Sequence, residues 1–459
     1  MIIPDWKLIL MEQHSLILLA ALFVSVLFII LGTTKLKMHP FLVLLLAAYG
    51  VGLISGMPAS GIVKVITSGF GDIMGYIGIV IILGTIIGVI LEKSGAAIKL
   101  AELVVRVIGK KHPALAMSII GYIVSIPVFC DSGFVILSSL KRSLIQKTGR
   151  SAVAMSIALS TGLYATHTLV PPTPGPIAAA GNLGITDQLG MVILYGLFIA
   201  AIAMLTGYWW ASYSGRKYQS GEDHPLEMEL DETMLQRLPS SVLSVLPIFL
   251  PIVLIALRSV VLMTSLPKEN FLYELINFAG DPVNALFLGL FASFLLVQKK
   301  GAGEITGWVG EGIQASAAIL IITGAGGAFG AMLKATHIGD TLGELLSGYQ
   351  LGIFLPFIIA AALKTAQGSS TVALVATSAL VAPLLAGLGL DSATGKALTV
   401  MAIGAGAMTV SHANDSFFWV VTQFSKMDVA TGYKTHTLAT LFQGVVSMIV
   451  VYVLSVVLL

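Results

Sequence analysis

Runs of about 20 consecutive apolar residues are the feature that most constrains what this chain can fold into. A helix of that length is sufficient to cross the hydrocarbon core of a bilayer. Such runs recur along the whole sequence, and only 10% of the 459 residues are charged. A soluble domain has about 25% charged residues and needs them to cover its surface. The sequence therefore predicts an all-α, polytopic membrane protein.

The bulk composition excludes several other classes of protein. The single cysteine, Cys130, provides neither a disulfide framework nor a cysteine metal cluster. A net charge of +2 gives no concentrated basic patch for nucleic acid. We expect no metal site and no cofactor. The first apolar run, 15–31, is not followed by a cleavage site, so we interpret it as a retained first helix rather than a signal peptide.

The apolar runs form two sets of six, separated by a charged segment. Internal duplication of this kind is typical of secondary transporters. We predict a first repeat over residues 1–213, a charged cytoplasmic linker over 214–240 and a second repeat over 241–459. Within each repeat, polar residues interrupt the apolar runs twice. These four interruptions lie near residues 129–133, 166–176, 364–371 and 411–416.

The placement of the basic residues predicts the topology. If the segments that lead to 129–133 and 364–371 are re-entrant hairpins, most of the 25 lysines and arginines lie on one side of the membrane. The positive-inside rule makes that side the cytoplasm. The first hairpin then enters from the cytoplasm and the second from outside, so the repeats are inverted. We expect a protein of the inner (cytoplasmic) membrane with both termini on the periplasmic side.

The four interruptions predict a solute site near the middle of the membrane. Irregular backbone at that depth is tolerated only where it faces protein or a water-filled cavity. Each interruption places small or hydroxyl residues beside helix ends, whose dipoles attract ions. We expect a small polar solute there, and an anion suits the helix ends best. The candidate solute-binding residues are Asp131, Ser132, Gly133, Thr168, Thr173, Gly368, Ser369, Ser370, Thr371 and Asn414.

Ionisable residues inside apolar runs are costly, which makes them functional candidates. The candidates for carrying a coupled proton are Asp131, His167, His412 and Asp415. Histidine suits this role because its ordinary pKa lies near physiological pH. Each candidate also has a structural alternative. The carboxylates could brace a hairpin tip or the opposing loop, and the histidines could bond carbonyl groups freed at a helix break.

Two rival functions find less support. Residues 69–72 match the G-x-G-D signature of intramembrane aspartyl proteases, but that chemistry needs a second carboxylate, and no Tyr-Asp pair occurs in an apolar run. A passive channel would need charge rings or a continuous pore. The glycines from Gly324 to Gly330 predict close helix packing rather than a phosphate loop, because no Lys-Ser/Thr follows them. We therefore predict a transporter and not an enzyme.

The interruptions also resemble those of the gluconate permease (gluconate:proton symporter) family. The motifs that carry the resemblance are Phe129–Val135, Thr166-His167 with Pro171–Pro176, Gly368–Ala373, Ser411–Asp415 with Phe418-Trp419, and Gly280–Val283. The resemblance implies the ion-transporter superfamily fold, with a scaffold and a transport domain that moves like an elevator, in a homodimer. It also implies proton-coupled uptake of gluconate, a related sugar acid or glycerate, or of D-serine in one branch.

The sequence departs from the gluconate branch of that family at two positions. The branch has a longer acidic residue where this chain has Asp131, and a histidine where it has Thr173. Both departures count against gluconate itself and leave a related, smaller hydroxy-acid. Sodium is an alternative coupling ion, because hydroxyl and carbonyl groups at helix breaks suit it too.

Overall fold

The computed structural model describes residues 16–18, 20–25, 27–29, 31–32, 35–109, 112–223, 238–262, 270–297, 302–336, 352–412 and 415–459. Throughout these residues the regular elements are helical, which confirms the all-α prediction. Five helical stretches among them are long and apolar enough to cross a membrane, and seven if each of two bent pairs is one span.

Eighteen α-helices are bounded within the described residues. Before the linker these are α1 (Pro40–Ile54), α2 (Ala59–Lys93), α3 (Ala96–Val104), α4 (Pro113–Val124), α5 (Cys130–Thr148), α6 (Ala152–Leu169), α7 (Pro174–Asn182) and α8 (Leu189–Lys217). After it come α9 (Ser241–Leu262), α10 (Phe271–Ala279), α11 (Pro282–Phe294), α12 (Ala302–Ala335), α13 (Phe354–Gln367), α14 (Ser370–Val381), α15 (Ala393–Met408), α16 (Ser416–Phe424), α17 (Val429–Gly432) and α18 (Leu438–Leu458). A π-helical turn, Tyr433–Thr437, joins α17 to α18.

Short helices flank the predicted hairpin tips. Helices α4, α13 and α14 have 12, 14 and 12 residues. A straight crossing needs about 20 residues, so none of the three spans a bilayer alone. Gly368 ends α13 with φ +91°, a left-handed conformation that glycine adopts without strain. The re-entrant course of these segments and the inverted relation of the two halves stay predictions.

The long helices α2 and α12 pack closely against each other through glycine. A Cβ atom on Gly69 would lie 2.4 Å from the Ala331 Cβ atom and 2.8 Å from the Gly327 carbonyl oxygen. The close packing predicted for the glycines of α12 is therefore confirmed. Gly69 belongs to the G-x-G-D match. Its contact with α12 explains why a glycine lies at this position, so no protease function is needed to account for it. Asp72 of the same match is exposed and accepts a hydrogen bond from Ser68 at 3.2 Å.

The beginning of the predicted linker is fixed to the helices. Glu222 is buried and forms ion pairs with Lys141 at 2.8 Å and Arg142 at 3.2 Å, both on α5. The Lys141 ammonium group also donates hydrogen bonds to the Phe424 carbonyl at 3.1 Å and the Ser425 hydroxyl at 3.0 Å. Residues 224–237 of the linker lie outside the described residues. The predicted boundaries at 213 and 241 stay predictions.

Two glycines of α2 allow a matched test of its packing. Gly69→Ala should lower the free energy of unfolding by about 1–3 kcal/mol, because the added methyl group meets backbone atoms of α12. Gly71→Ala is the control: its Cβ atom meets nothing within 4 Å, so we expect no loss, or a gain of up to about 1 kcal/mol in helix propensity. Thermal unfolding of both proteins in detergent measures the difference, and equal losses would contradict the packing argument.

Candidate solute site

Residues from all four interruptions meet around one cavity of about 280 Å³. The polypeptide reaches it where α4 meets α5, where α13 meets α14, at the end of α6 and at the beginning of α16. The lining residues are Phe129, Cys130, Asp131, Tyr164, His167, Gly368, Ser369, Ser370, Thr371, Asp415, Ser416 and Phe417. The wall is rich in hydroxyl groups and contains two carboxylates, which suits a small polar molecule.

Three helices begin at the cavity wall, namely α5, α14 and α16. Ser369 caps α14 by accepting a hydrogen bond from the Val372 amide at 3.3 Å, and Asp415 caps α16 by accepting one from the Phe417 amide at 3.1 Å. The N-terminal end of a helix carries partial positive charge and free amide groups, both of which favour anions. The backbone alone therefore makes this cavity attractive to a negatively charged group.

A buried ion pair joins α13 to the beginning of α16. The Lys364 ammonium lies 2.6 Å from an Asp415 carboxylate oxygen, and the side chains are 0% and 7% exposed. Lys364 also donates to the Gly368 carbonyl, and the same Asp415 oxygen accepts from the Ser411 hydroxyl at 2.5 Å. The charge of Asp415 is thus neutralised, and both of its carboxylate oxygens accept hydrogen bonds. Asp415 also lines the cavity.

Asp131 lies in the first turn of α5 and also lines the cavity. Its Oδ1 atom is buried and has no hydrogen-bond partner, although the carboxylate interacts with the Ser416 side chain. Buried polar atoms are nearly always satisfied, so an unsatisfied one requires an explanation. An atom of this kind on a cavity wall is well placed to meet a proton or a solute group.

His167 provides the second unsatisfied atom at this cavity. The ring stacks on Tyr164, with centroids 6.3 Å apart and an interplanar angle of 11°, and Phe129 lies on another side at 6.0 Å. The Nδ1 atom is buried without a partner. The ring is therefore fixed by aromatic contacts, with one nitrogen available for a hydrogen bond.

The structure brings only some of the predicted site residues to the cavity. Those that line it are Asp131, His167, Gly368, Ser369, Ser370, Thr371 and Asp415. Those that do not are Ser132, Gly133, Thr168, Thr173 and His412. Asn414 lies outside the described residues, so its predicted contact with the solute stays a prediction.

The residues away from the cavity have local partners. Thr168 donates its hydroxyl to the Tyr164 carbonyl at 3.1 Å, and Thr173 donates to the Val170 carbonyl at 2.5 Å. The His412 Nε2 atom lies 2.9 Å from the Thr365 carbonyl oxygen, which matches the structural alternative considered for it. Gly133 is packed against Leu163, where a Cβ atom would approach to 2.8 Å. Solute binding by these residues stays a prediction.

The lining residues that sequence reasoning did not select are Phe129, Cys130, Tyr164, Ser416 and Phe417. Tyr164 and Phe417 lie in apolar runs with nothing local to mark them. His436 is fully buried in the π-helical turn, 3.1 Å from the Ser411 hydroxyl oxygen.

Comparison with known proteins identifies the family. A family model described as GntP family permease matches residues 16–457. The chain belongs to the GntP permease family. It is 33% identical to a gluconate permease of Pseudomonas aeruginosa, over 97% of this chain and 99% of the relative. It is 34% identical to the D-serine transporter DsdX of Escherichia coli K12, over 96% and 99% of the two chains.

A solved structure supports the fold. The YdaH transporter of Alcanivorax borkumensis superposes with a TM-score of 0.64 at 16% identity, over 91% of this chain and 98% of that one. GntP permeases are multi-pass membrane transporters, so this member is a transporter and not an enzyme. The intramembrane protease alternative is thereby excluded.

The Lys364–Asp415 pair can be tested with single and double substitutions. Lys364→Met leaves a buried, unpaired carboxylate and should cost about 3–5 kcal/mol of unfolding free energy. The Lys364→Met/Asp415→Asn double variant removes both charges of this pair and should recover more than half of that loss. Lys396→Met is the control, because its partner Asp391 is 63% exposed and such pairs contribute less than about 1 kcal/mol. A double variant no more stable than Lys364→Met would contradict the ion-pair assignment.

Proposed function

We propose that this protein takes up a small hydroxycarboxylate, such as glycerate or a sugar acid related to gluconate, together with a proton. The observation that supports it best is the unsatisfied Asp131 oxygen in a cavity surrounded by helix N-termini. Drug-sized ligands occupy pockets of about 300–1,000 Å³. A cavity of about 280 Å³ suits a smaller solute.

The carboxylate of the solute fits the side of the cavity built by α14 and α16. Ser369, Ser370 and Thr371 line it at the beginning of α14, and Ser416 lines it at the beginning of α16. Hydroxyl and amide groups can donate hydrogen bonds to a carboxylate without carrying a full positive charge. They would therefore bind the anion weakly enough to release it. The solute hydroxyls then face His167 and Asp131, whose unsatisfied atoms can hydrogen-bond them.

Charge balance supports coupling to a proton. Among the described residues that line the cavity or bond its wall, the charged groups are Asp131, Asp415 and Lys364. With both acids ionised, the net charge of these three groups is −1. A carboxylate solute would make it −2. Such a charge is costly in a low-dielectric site. A proton on Asp131 restores the sum to zero before the anion enters, so anion and proton bind best together.

Of the four predicted proton carriers, Asp131 and His167 have the better geometry, because each offers an unsatisfied atom at the cavity. Asp415 is already paired with Lys364, and His412 lies at the Thr365 carbonyl. One anion moving with one proton transfers no net charge. The rate of uptake should then depend on the pH gradient and not on the membrane potential.

A zwitterionic amino acid such as D-serine is the second candidate solute. Its ammonium group would pair with an ionised Asp131 and would need no proton there, while its carboxylate would use the same hydroxyl groups. The relative DsdX is a D-serine transporter, and the unsatisfied Asp131 oxygen suits this chemistry as well. The two candidates differ in the protonation state that they require of Asp131.

For the transport cycle, we propose alternating access of the elevator type in the inner membrane. The pairs α4–α5 and α13–α14 would act as re-entrant gates. They would belong to the inverted repeats 1–213 and 241–459, which the cytoplasmic segment 214–240 joins. Helices too short to span and a site assembled from both halves support this arrangement. Both termini would face the periplasm, and the protein would function as a homodimer.

Proteoliposomes with an internal and an external pH probe test the proposal. We expect external alkalinisation with one member of a panel of glycerate, gluconate, other sugar acids and D-serine, without sodium. An imposed potassium-valinomycin potential should not change the rate. No pH signal with any compound would contradict proton coupling, and accumulation only with sodium would assign the coupling ion to sodium.

The Asp131→Asn variant locates the proton. Asparagine resembles the protonated acid, so solute counterflow should persist. One coupled proton allows about tenfold accumulation per pH unit of gradient, and the variant should lose this accumulation. Asp391→Asn, at an exposed residue, is the control. Normal pH-driven accumulation by Asp131→Asn would remove Asp131 from the coupling role. If the solute is D-serine, the variant should instead lose affinity by about tenfold or more.

A further inference from the structure

An open groove of about 420 Å³ lies between α8 and α18. It shares no lining residue with the solute cavity. The residues that line the groove are Ile202, Leu205, Thr206, Trp209, Phe442 and Val446. Leu205 and Trp209 are 51% and 60% exposed, and the Thr206 hydroxyl donates to the Ile202 carbonyl at 2.9 Å. The groove therefore presents an almost entirely apolar surface to the surroundings of the protein.

Aromatic rings gather where the groove approaches the end of α8. Phe442 packs against Trp210 at a centroid distance of 4.8 Å and against Trp209 at 6.3 Å. Trp210 also packs against Tyr213 at 5.2 Å, and its indole N–H donates to the Thr435 carbonyl at 2.9 Å. Tryptophan and tyrosine are enriched at the level of the lipid headgroups. This end of the groove therefore has the composition of a membrane–water interface.

Positive charge lies just beyond the aromatic rings. Helix α8 ends with Arg216 and Lys217, and both side chains are exposed. Arg216 follows Trp209 by seven residues, which is two helical turns and about 10 Å along the same face. Lys434 lies in the π-helical turn before α18, but Asp428 interacts with it electrostatically and compensates part of its charge. The main cations at this end of the groove are therefore Arg216 and Lys217.

We propose that the groove binds an anionic phospholipid, with an acyl chain on the apolar lining and the phosphate at Arg216 and Lys217. Guanidinium binds phosphate through paired hydrogen bonds, and ammonium binds it as a point charge. Each lysine or arginine near the membrane surface strengthens the binding of anionic lipid by about fivefold. The basic end lies on the side that we predict to be cytoplasmic, where the leaflet carries negative charge.

The two parts of the site have different roles. The surrounding lipid is as apolar as the groove, so the lining offers an acyl chain packing contacts and no hydrophobic gain. The lining therefore fixes where the lipid lies, while the contact with the phosphate provides the preference for an anionic headgroup. This inference does not depend on which solute the cavity takes.

A second copy of the chain suits the groove less well than a lipid. Two copies in one membrane have the same orientation, so a two-fold interface pairs each surface with itself. Arg216 and Lys217 would then approach the same residues of the other copy, and like charges at an interface repel each other. A lipid phosphate would instead neutralise these cations.

Tryptophan fluorescence can detect the lipid, because bromine atoms on a neighbouring acyl chain quench an indole ring. The full chain is reconstituted in phosphatidylcholine vesicles that contain a small fraction of brominated phosphatidylglycerol, or of brominated phosphatidylcholine with the same acyl chains. We expect the phosphatidylglycerol to quench at an at least about fivefold lower fraction than the phosphatidylcholine. This additional quenching should fall in Trp209→Phe.

Two double variants test the phosphate contact. Arg216→Gln/Lys217→Gln should abolish the difference between the two brominated lipids. Lys35→Gln/Lys37→Gln is the control, because it removes two exposed lysines that we also predict on the cytoplasmic side, and it should preserve the difference. An unchanged difference in Arg216→Gln/Lys217→Gln would overturn the assignment of the phosphate.

A further pair of variants tests the groove itself. Thr206→Phe places a ring on the lining and should reduce the additional quenching of Trp209 by phosphatidylglycerol. Leu194→Phe, at a 50% exposed residue of α8 outside the groove, should leave that quenching unchanged. Full additional quenching in Thr206→Phe would show that surface charge alone attracts the lipid, and would overturn the groove as its site.

The remaining outcomes also decide the proposal. Equal quenching of the wild-type protein by the two lipids would mean that the groove holds ordinary bilayer lipid, and would overturn the preference for an anionic headgroup. Quenching of Trp209 by neither lipid would mean that protein covers the groove, and would favour a second copy instead. None of these measurements uses transport, so the proposed function and the lipid site can fail separately.

Discussion

The candidate solute cavity depends on one buried ion pair between Lys364 and Asp415. The pair joins α13 to the beginning of α16, with its nitrogen and oxygen atoms 2.6 Å apart, next to the lining residues Gly368–Thr371. Taking two charges out of water is costly, so such a pair persists only when further hydrogen bonds satisfy both partners. Here the Gly368 carbonyl, the Ser411 hydroxyl and the Phe417 amide provide them.

This pair also determines which group in the cavity can vary its charge. Because Asp415 and Lys364 neutralise each other, the carboxylate of Asp131 is left as the unbalanced charge on the wall. A coupled transporter needs such a group, because a change in its charge can change the affinity of the site for the solute. In the proposed function, the helix N-termini supply a constant attraction for anions, and a proton on Asp131 supplies the adjustable part.

The sequence predicted the positions of the helix breaks and the close packing of the α12 glycines, because prolines, glycines and polar residues mark both locally. It could not separate Thr168 and Thr173 from true lining residues. A threonine hydroxyl in or beside a helix can always bond a carbonyl three or four residues earlier, and both residues do so. Tyr164 could not be identified for another reason: it lies in an apolar run, and its ring partner Phe417 lies on a helix distant in sequence.

The ammonium group of Lys141 has a consequence for the chain as a whole. It lies in the first half, pairs with Glu222 at the start of the linker, and donates hydrogen bonds to Phe424 and Ser425 in the second half. One buried cation thus ties together three segments that the sequence pattern treats as separate. Separating the two halves would expose this charge and divide the cavity wall. We therefore expect the halves to unfold together as one cooperative unit rather than as two independent domains.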